Sequence, residues 1–308
     1  MTHNEVNDVG AERGINPPRP DGDGGADLHS HTCASDGTRS PAAVVARARE
    51  VGLSAVAVTD HDTVVGLPEA LAAGERWDIK VLPGVELSTR LRQGERGDIE
   101  VHVLGYGIKL DSPDIRVLLR ELTANRRDRA AQMLQRLAAL NLPIDPQRLE
   151  AIAGSGTIGR PHIARAMMEK GYANSIEDAF RRYLDRGGPA FVEAAKPGTL
   201  TAITTLRRAG AVSVLAHPGL LRVDIIGSGY LEQMKAAGMV GIEVYHSRHD
   251  GPTCRRWQKT ADRLGLIGTG GSDCHGPLPG KMEQIGSIRV PTATVERLLT
   301  AVENGSFN

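Results

Sequence analysis

Aromatic residues are scarce in this chain, with three Phe, five Tyr and two Trp among 308 residues. A platform that holds a single strand by stacking its bases is therefore poorly served. Cysteine is as rare: Cys33, Cys254 and Cys274 are odd in number and lack CxxC spacing, which disfavours a thiolate zinc site or a disulfide framework and reads as reduced thiols. No apolar run approaches the ~18 residues that would cross a bilayer, and no basic segment followed by an apolar one opens the chain. Membrane partners are not expected, and the expected location is the cytoplasm. Charge of one sign is missing too, since 37 basic residues balance 37 acidic ones. An anionic substrate must then be drawn by local groups, metals or a few arginines, and no stable nucleic-acid partner is expected.

What is present is a βα rhythm. Residues 1–25, with GINPPRPDGDGG, have too little apolar content to pack and are expected to form a disordered tail. After them, ADLHSH, SAVAVTDHD, KVLPGVEL and IEVHVLGYGI read as strands, with helices starting near Pro41 and spanning about Leu67 to Ala73. The rhythm then breaks. Ile115, Leu118, Leu119, Leu122, Met133, Leu134 and Leu137 recur at helical spacing, predicting a long amphipathic helix from Pro113 to about Leu140. Further helices are expected over 160–170 and 176–184. AVSVLAHPG, GIEVYHSRH and LIGTGGSDCH resume the pattern, with a last helix from about Ala293 to Val302. Residues 26–109 and 196–308 thus predict an α/β barrel, and residues 110–195 a helical insert acting as a lid or substrate domain.

The chemistry-bearing residues fall at the predicted strand ends. His29 and His31 are two apart, so in a strand both imidazoles face one way, and Asp273 with His275 repeats the spacing. His61, Glu86, His102 and His217 occupy comparable places, and Asp36 follows the first pair by five residues. A lone histidine at a strand end is more often simply hydrogen-bonded. Six of the ten histidines in equivalent positions are harder to dismiss, because a parallel barrel gathers those ends on one face. Imidazole and carboxylate without thiolate pairs suit Zn²⁺, Mn²⁺ or Fe²⁺. His3 and His162 follow no such rule, and Cys33 and Cys274 read as packing residues.

The ordered set DLHSHTCASDGT, VTDHD, LPGVE, VHVLGY, AHPG, EVYHS and GGSDCHG resembles the polymerase-and-histidinol-phosphatase (PHP) superfamily of metal-dependent phosphoesterases, from about residue 26 to 285. GRPHIA at 159–164 and the insert are similar to its branch that acts on nucleoside 3′,5′-bisphosphates and on the 5′ ends of short RNA. The resemblance implies a distorted (β/α)7 barrel and three divalent metals, Mn²⁺ foremost with Fe²⁺ or Zn²⁺ as alternatives. It implies that His29, His31, Glu86 and Asp273 hold one metal. Glu86 then bridges to a second with His102 and His217, and Asp36, His61 and His275 hold the third. Asp60 and Asp62 are expected to support the ligands or the backbone.

Phosphoester hydrolysis needs a strong nucleophile near neutrality, and a bound metal lowers the pKa of water from about 15.7 toward about 7. The expected reaction is attack of that hydroxide on the 3′-phosphate of a nucleoside 3′,5′-bisphosphate, with short oligoribonucleotides as further substrates. Glu86 is the expected bridging carboxylate. Arg160 precedes Pro161 in the first turn of a helix, where its guanidinium and the helix N-terminus would grip the second or the scissile phosphate. His246 is a candidate to contact the phosphate or protonate the leaving oxygen. Arg248 and His249 read as exposed loop residues, and the arginine clusters at 126–129, 181–182 and 255–256 as solvated helix faces. Alternatives are a histidinol-phosphate-like or other small phosphomonoesterase, a cyclic-phosphate diesterase, or a non-catalytic metal-stabilised module. The last predicts missing ligands, whereas all nine are present.

Overall fold

The computed structural model describes residues 24–92, 98–154, 156–221, 228–277 and 284–304. The expected disordered tail lies outside the described residues except for Gly24 and Gly25. Seven strands, β1 (Ala26–Asp27), β2 (Ala55–Val58), β3 (Lys80–Leu91), β4 (Ile99–Tyr106), β5 (Val212–Leu215), β6 (Met239–His246) and β7 (Ile267–Gly271), form one sheet in sequence order. Neighbours run parallel except β4, which is antiparallel to both β3 and β5. A hairpin replaces one helical crossover, and this is the barrel's distortion. β7 returns to β1 through Leu28 N–H to Gly270 O at 3.2 Å, and beyond the strands Asp273 N–H donates to His29 O at 2.9 Å. The barrel is nearly closed.

The helices around it start and stop for local reasons. α1 (Pro41–Glu50) has proline at its first position, and the Ser40 hydroxyl accepts from Ala43 N–H. α2 (Leu67–Trp77) follows β2, and α3 (Pro113–Ala139), α4 (Pro146–Ala153), α5 (Arg160–Glu169) and α6 (Ile176–Ala179) fill the interval before β5. α6 continues as a π-helical turn, Phe180–Leu184, so the helix expected over 176–184 changes pitch midway. α7 (Thr199–Arg208), α8 (Ser228–Ala237), α9 (Gly251–Leu264) and α10 (Thr292–Glu303) complete the set. No helix among the described residues is long and apolar enough to cross a membrane.

Small side chains such as Ala26, Ala55 and Ala57, with Leu82, Leu104 and Val214, belong to one buried cluster that α10 joins through Val295 and Leu298. A larger cluster packs β3, β4 and β6 against the surrounding helices. α3 divides its apolar stripe: Ile115, Leu118, Leu119 and Leu122 join that larger cluster, while Met133, Leu134 and Leu137 join a third with Ile163 and Met167 of α5. One 27-residue helix, about 40 Å long at 1.5 Å per residue, therefore carries side chains of both cores.

Candidate metal centre

Barrel closure brings the strand ends together around Glu86, whose carboxylate is fully buried. Its Oε1 lies 2.8 Å from His102 Nδ1 and 2.9 Å from His217 Nε2. Its Oε2 lies 3.2 Å from both His29 Nε2 and His31 Nε2, and 3.1 Å from His61 Nδ1. Five imidazoles thus face one carboxylate, divided between its two oxygens. Asp273 Oδ1 sits 3.0 Å from His31 Nε2 and 3.4 Å from His29 Nε2. Asp36 Oδ1 lies 3.3 Å from His275 Nε2, and Oδ2 lies 3.9 Å from His61 Nε2.

Three groups have donor atoms within 4.8 Å of one another: His29, His31, Glu86 and Asp273; His31, Asp36, His61 and His275; and His61, Glu86 and His102. All nine residues singled out in the sequence lie in this cluster or touch it, His217 through Glu86. His31 and His61 each face two of the groups, a sharing that sequence spacing did not indicate.

The donor set fits divalent cations on an internal observation. Buried nitrogens and oxygens with no hydrogen-bond partner include His29 Nε2, both ring nitrogens of His31, Asp36 Oδ1, His61 Nδ1, Glu86 Oε2 and His217 Nδ1. Such orphaned atoms are costly unless something fills the space between them. In metal-free protein the imidazoles and carboxylates offset one another's charge. Burial opposes ionisation of Glu86, Asp36 and Asp273, yet the surrounding imidazoles hold all three carboxyls well below their usual range. Burial likewise opposes charge on His102 and His275, but Glu86 with Glu100 raises the first to about 9 and Asp36 with Asp273 the second to about 10. For His61 burial wins, and its pKa falls to about 3.

Backbone geometry positions the ligands. Asp62, His217 and Asp273 occupy the left-handed region at φ 56°, 27° and 55°, a conformation costing about 1–3 kcal/mol in a non-glycine residue. Each has its N–H held: Asp62 by Glu86 O, His217 by Glu243 Oε2 at 2.7 Å, Asp273 by His29 O. Gly271 lets β7 approach β1, because a Cβ there would lie 2.4 Å from His29 Cβ.

Glu243, in the middle of β6, escaped the sequence reading. It is fully buried, and its Oε1 lies 3.0 Å from His29 Nδ1, so it accepts the hydrogen bond from that N–H and leaves Nε2 to face the cluster. A charged residue inside the apolar run GIEVY was the available signal. Asp60 accepts from Thr32 N–H, Thr32 Oγ1 and Ser35 Oγ, shaping the loop after His31. His246 is buried: its Nδ1 accepts from Arg248 N–H, which leaves the proton on Nε2, 3.3 Å from Asp273 Oδ2. His162, set aside earlier, caps α5 by accepting from Gly159 N–H.

Three expectations are corrected. The arginines of 126–129 are not merely solvated: Arg126 Nε donates to Asp62 Oδ2 at 2.6 Å and Nη2 to Ser88 Oγ, while Arg129 Nε donates to Val192 O. Both line a pocket of about 210 Å³ together with Asp36, His61, Glu100, His102, Arg160 and Lys196. His249 is no free loop residue, because its Nδ1 donates to Val244 O and its Nε2 accepts from Gly219 N–H, tying β6 to the segment after His217. Cys33 is exposed rather than packed, whereas Cys274 is buried.

Four cations line this pocket, Arg126, Arg129, Arg160 and Lys196. Arg160 sits over the Phe180 ring at 5.2 Å, with Asp185 Oδ1 3.7 Å from Nη1. Burial, then the neighbouring Arg160 and Arg126, lower the Arg129 pKa to about 10. Lys196 pairs with Glu100, which also lies 3.0 Å from His102 Nε2.

The PHP domain profile matches residues 27–193, more than half of the chain. The chain belongs to the PHP family. A 5′-3′ exoribonuclease of Haemophilus influenzae is 34% identical over 257 residues, spanning 82% of this chain and 90% of that protein. A 3′,5′-nucleoside bisphosphate phosphatase of Chromobacterium violaceum is 34% identical over 259 residues, or 82% and 88% of the two chains. The crystal structure described as a metal-dependent phosphoesterase of Bifidobacterium adolescentis superposes with a TM-score of 0.83 at 32% identity, covering 92% of this chain and 97% of that one. This PHP protein is accordingly a metal-dependent hydrolase of phosphoester bonds.

Proposed function

We propose that this PHP enzyme removes the 3′-phosphate from nucleoside 3′,5′-bisphosphates and also acts on the 5′ ends of short RNA. The observation that carries the reading is one pocket lined both by residues of the imidazole–carboxylate cluster and by Arg126, Arg129, Arg160 and Lys196. A substrate with two phosphates matches it: the scissile group lies at the cluster and the other at the guanidinium wall, where charge-assisted hydrogen bonds are strong. The names of the two enzymes similar over most of the chain agree with nucleotide and RNA substrates.

Three divalent ions are proposed, Mn²⁺ foremost with Fe²⁺ or Zn²⁺ as alternatives. His29, His31, Glu86 and Asp273 would hold one, Glu86, His102 and His217 a second, and Asp36, His61 and His275 a third. Bound there, divalent metal supplies an activated water and neutralises phosphoryl oxygens. The chain's own residues do the rest. Glu86 divides its oxygens between two sets of imidazoles and so locks their relative positions. Glu243 fixes the His29 tautomer, and His246 holds Asp273 by donating from Nε2. Arg160 orients the second phosphate from the first turn of α5, and the insert's wall keeps solvent from that side.

The test is phosphate release from 3′-phosphoadenosine 5′-phosphate by purified protein with Mn²⁺. The expected products are adenosine 5′-monophosphate and inorganic phosphate, and absence of release excludes this substrate.

A further inference from the structure

Beside the metal pocket, α3 and the loop after β2 frame a second, open groove of about 430 Å³. Its rim is arginine. Arg116, Arg120 and Arg127 are exposed, and none has an ion pair or side-chain hydrogen bond among the described residues. This differs from Arg148, Arg181, Arg182, Arg208 and Arg263, each of which meets a carboxylate. No carboxylate lines the groove, and Val65, 53% exposed, and Leu119 give it an apolar floor.

We propose that this face of α3 carries the ribose-phosphate backbone of an oligoribonucleotide whose 5′ end occupies the metal pocket. The inference rests on the RNA part of the function proposed above and extends it from the reacting end to the chain behind it. Positions 116, 120 and 127 differ by four and seven residues and so fall on one helix face, with rises of about 6 and about 10.5 Å. That places three cations in line, as a polyanion requires.

The groove also continues the pocket. Asp62 lines the pocket and Thr63 the groove, and on the other wall Arg126 lines the pocket and Arg127 the groove. A strand leaving the centre meets these arginines without crossing a carboxylate of the groove. Since no aromatic side chain lines it, phosphate contacts supply the binding, which makes it weak, indifferent to sequence and dependent on salt. A mononucleotide seated at the centre is expected to leave it empty.

The experiment compares wild type with Arg116→Glu/Arg120→Glu/Arg127→Glu and with the milder glutamine triple variant, after thermal melting shows that all are folded. The probe is a short 5′-phosphorylated, phosphorothioate-linked single-stranded RNA with a 3′-fluorescein, read by anisotropy across a salt series. The glutamate variant is expected to bind at least about tenfold more weakly, with a log–log salt slope shallower by about two, as loss of three phosphate contacts demands. The glutamine variant is expected to lie between, and kcat/KM on 3′-phosphoadenosine 5′-phosphate to be unchanged in both. Equal RNA affinity in wild type and glutamate variant, or no RNA binding by wild type at low salt, overturns the proposal. Failure of the bisphosphate reading appears separately, as absence of phosphate release by wild type, and does not enter the anisotropy result.

Discussion

The two walls of the pocket are built differently. The imidazole–carboxylate wall stands on strand ends of a nearly closed sheet, where each ligand's height and direction follow from backbone pairing, as with His61 bridged to Glu86 and Ser30 to Cys274. The cationic wall stands on α3, α5 and the segment ending at Lys196, whose places depend on helix packing in the interval before β5. The first wall is crowded with donor atoms that lack partners, and the second with cations only partly paired. A barrel supplies a rigid chemical centre, while the helices across from it supply a face that can select the substrate.

If that division holds, damage to each wall has a different signature. The largest effect is expected at the centre: Glu86→Gln should lower kcat/KM on every phosphoester by at least about 10³-fold, since one carboxylate serves two sets of imidazoles. A loss restricted to bisphosphates would contradict the shared role. Arg160→Ala should cost about 10- to 100-fold, equivalent to a charged hydrogen bond of about 1.5–3 kcal/mol, on a nucleoside 3′,5′-bisphosphate but little on the 3′-monophosphate. Equal losses on both substrates would remove the distinction between the walls. Glu243→Gln should weaken metal binding about 10- to 100-fold, as measured by calorimetric titration of the metal-free protein with Mn²⁺.

The smallest expected effect is on melting, a few degrees against pH. In metal-free protein, His102 and His275 have folded pKa values of about 9 and 10 against an ordinary 6.5. Raised imidazole values contribute stability that is full below about 6.5 and lost as pH climbs through the folded values. The depressed carboxyls of Asp36, Glu86 and Asp273 contribute above their ordinary range and lose it as pH falls. His61, lowered to about 3, also disfavours the acid side below about 6.5. With EDTA, Tm should therefore fall between pH 6.5 and 9. With saturating Mn²⁺ it should rise from pH 6.5 toward 8, because ligating imidazoles must shed protons. Parallel curves in the two buffers would show that these side chains do not hold metal.

Much of the centre was legible in the chain because its signals are local. Two-residue spacing places His29 and His31 together, helical periodicity marks α3 from Pro113 to Ala139, and GGSDCHG repeats the two-residue spacing with Asp273 and His275. Partners distant in sequence were not legible. Glu243 reads as one acid in a strand until folding sets it against His29, 214 residues away, and Arg126 reads as a surface arginine until it meets Asp62, 64 residues away. His249 looked free because nothing in SRHDG signals a bond to Gly219. In each case the deciding contact depends on how strands and helices distant in the sequence pack together.

Residue identity and short-range periodicity were enough to mark the strands, the long helix α3, the complement of nitrogen and oxygen donors and the metal chemistry they suit, because those properties belong to a few neighbouring residues. Barrel closure and the seating of the helices across the pocket had to assign which donors share Glu86, which carboxylate orients which imidazole, and which arginines face the pocket rather than solvent. Those choices are distances between side chains far apart in the sequence, and a linear chain leaves such distances open until packing removes the alternatives.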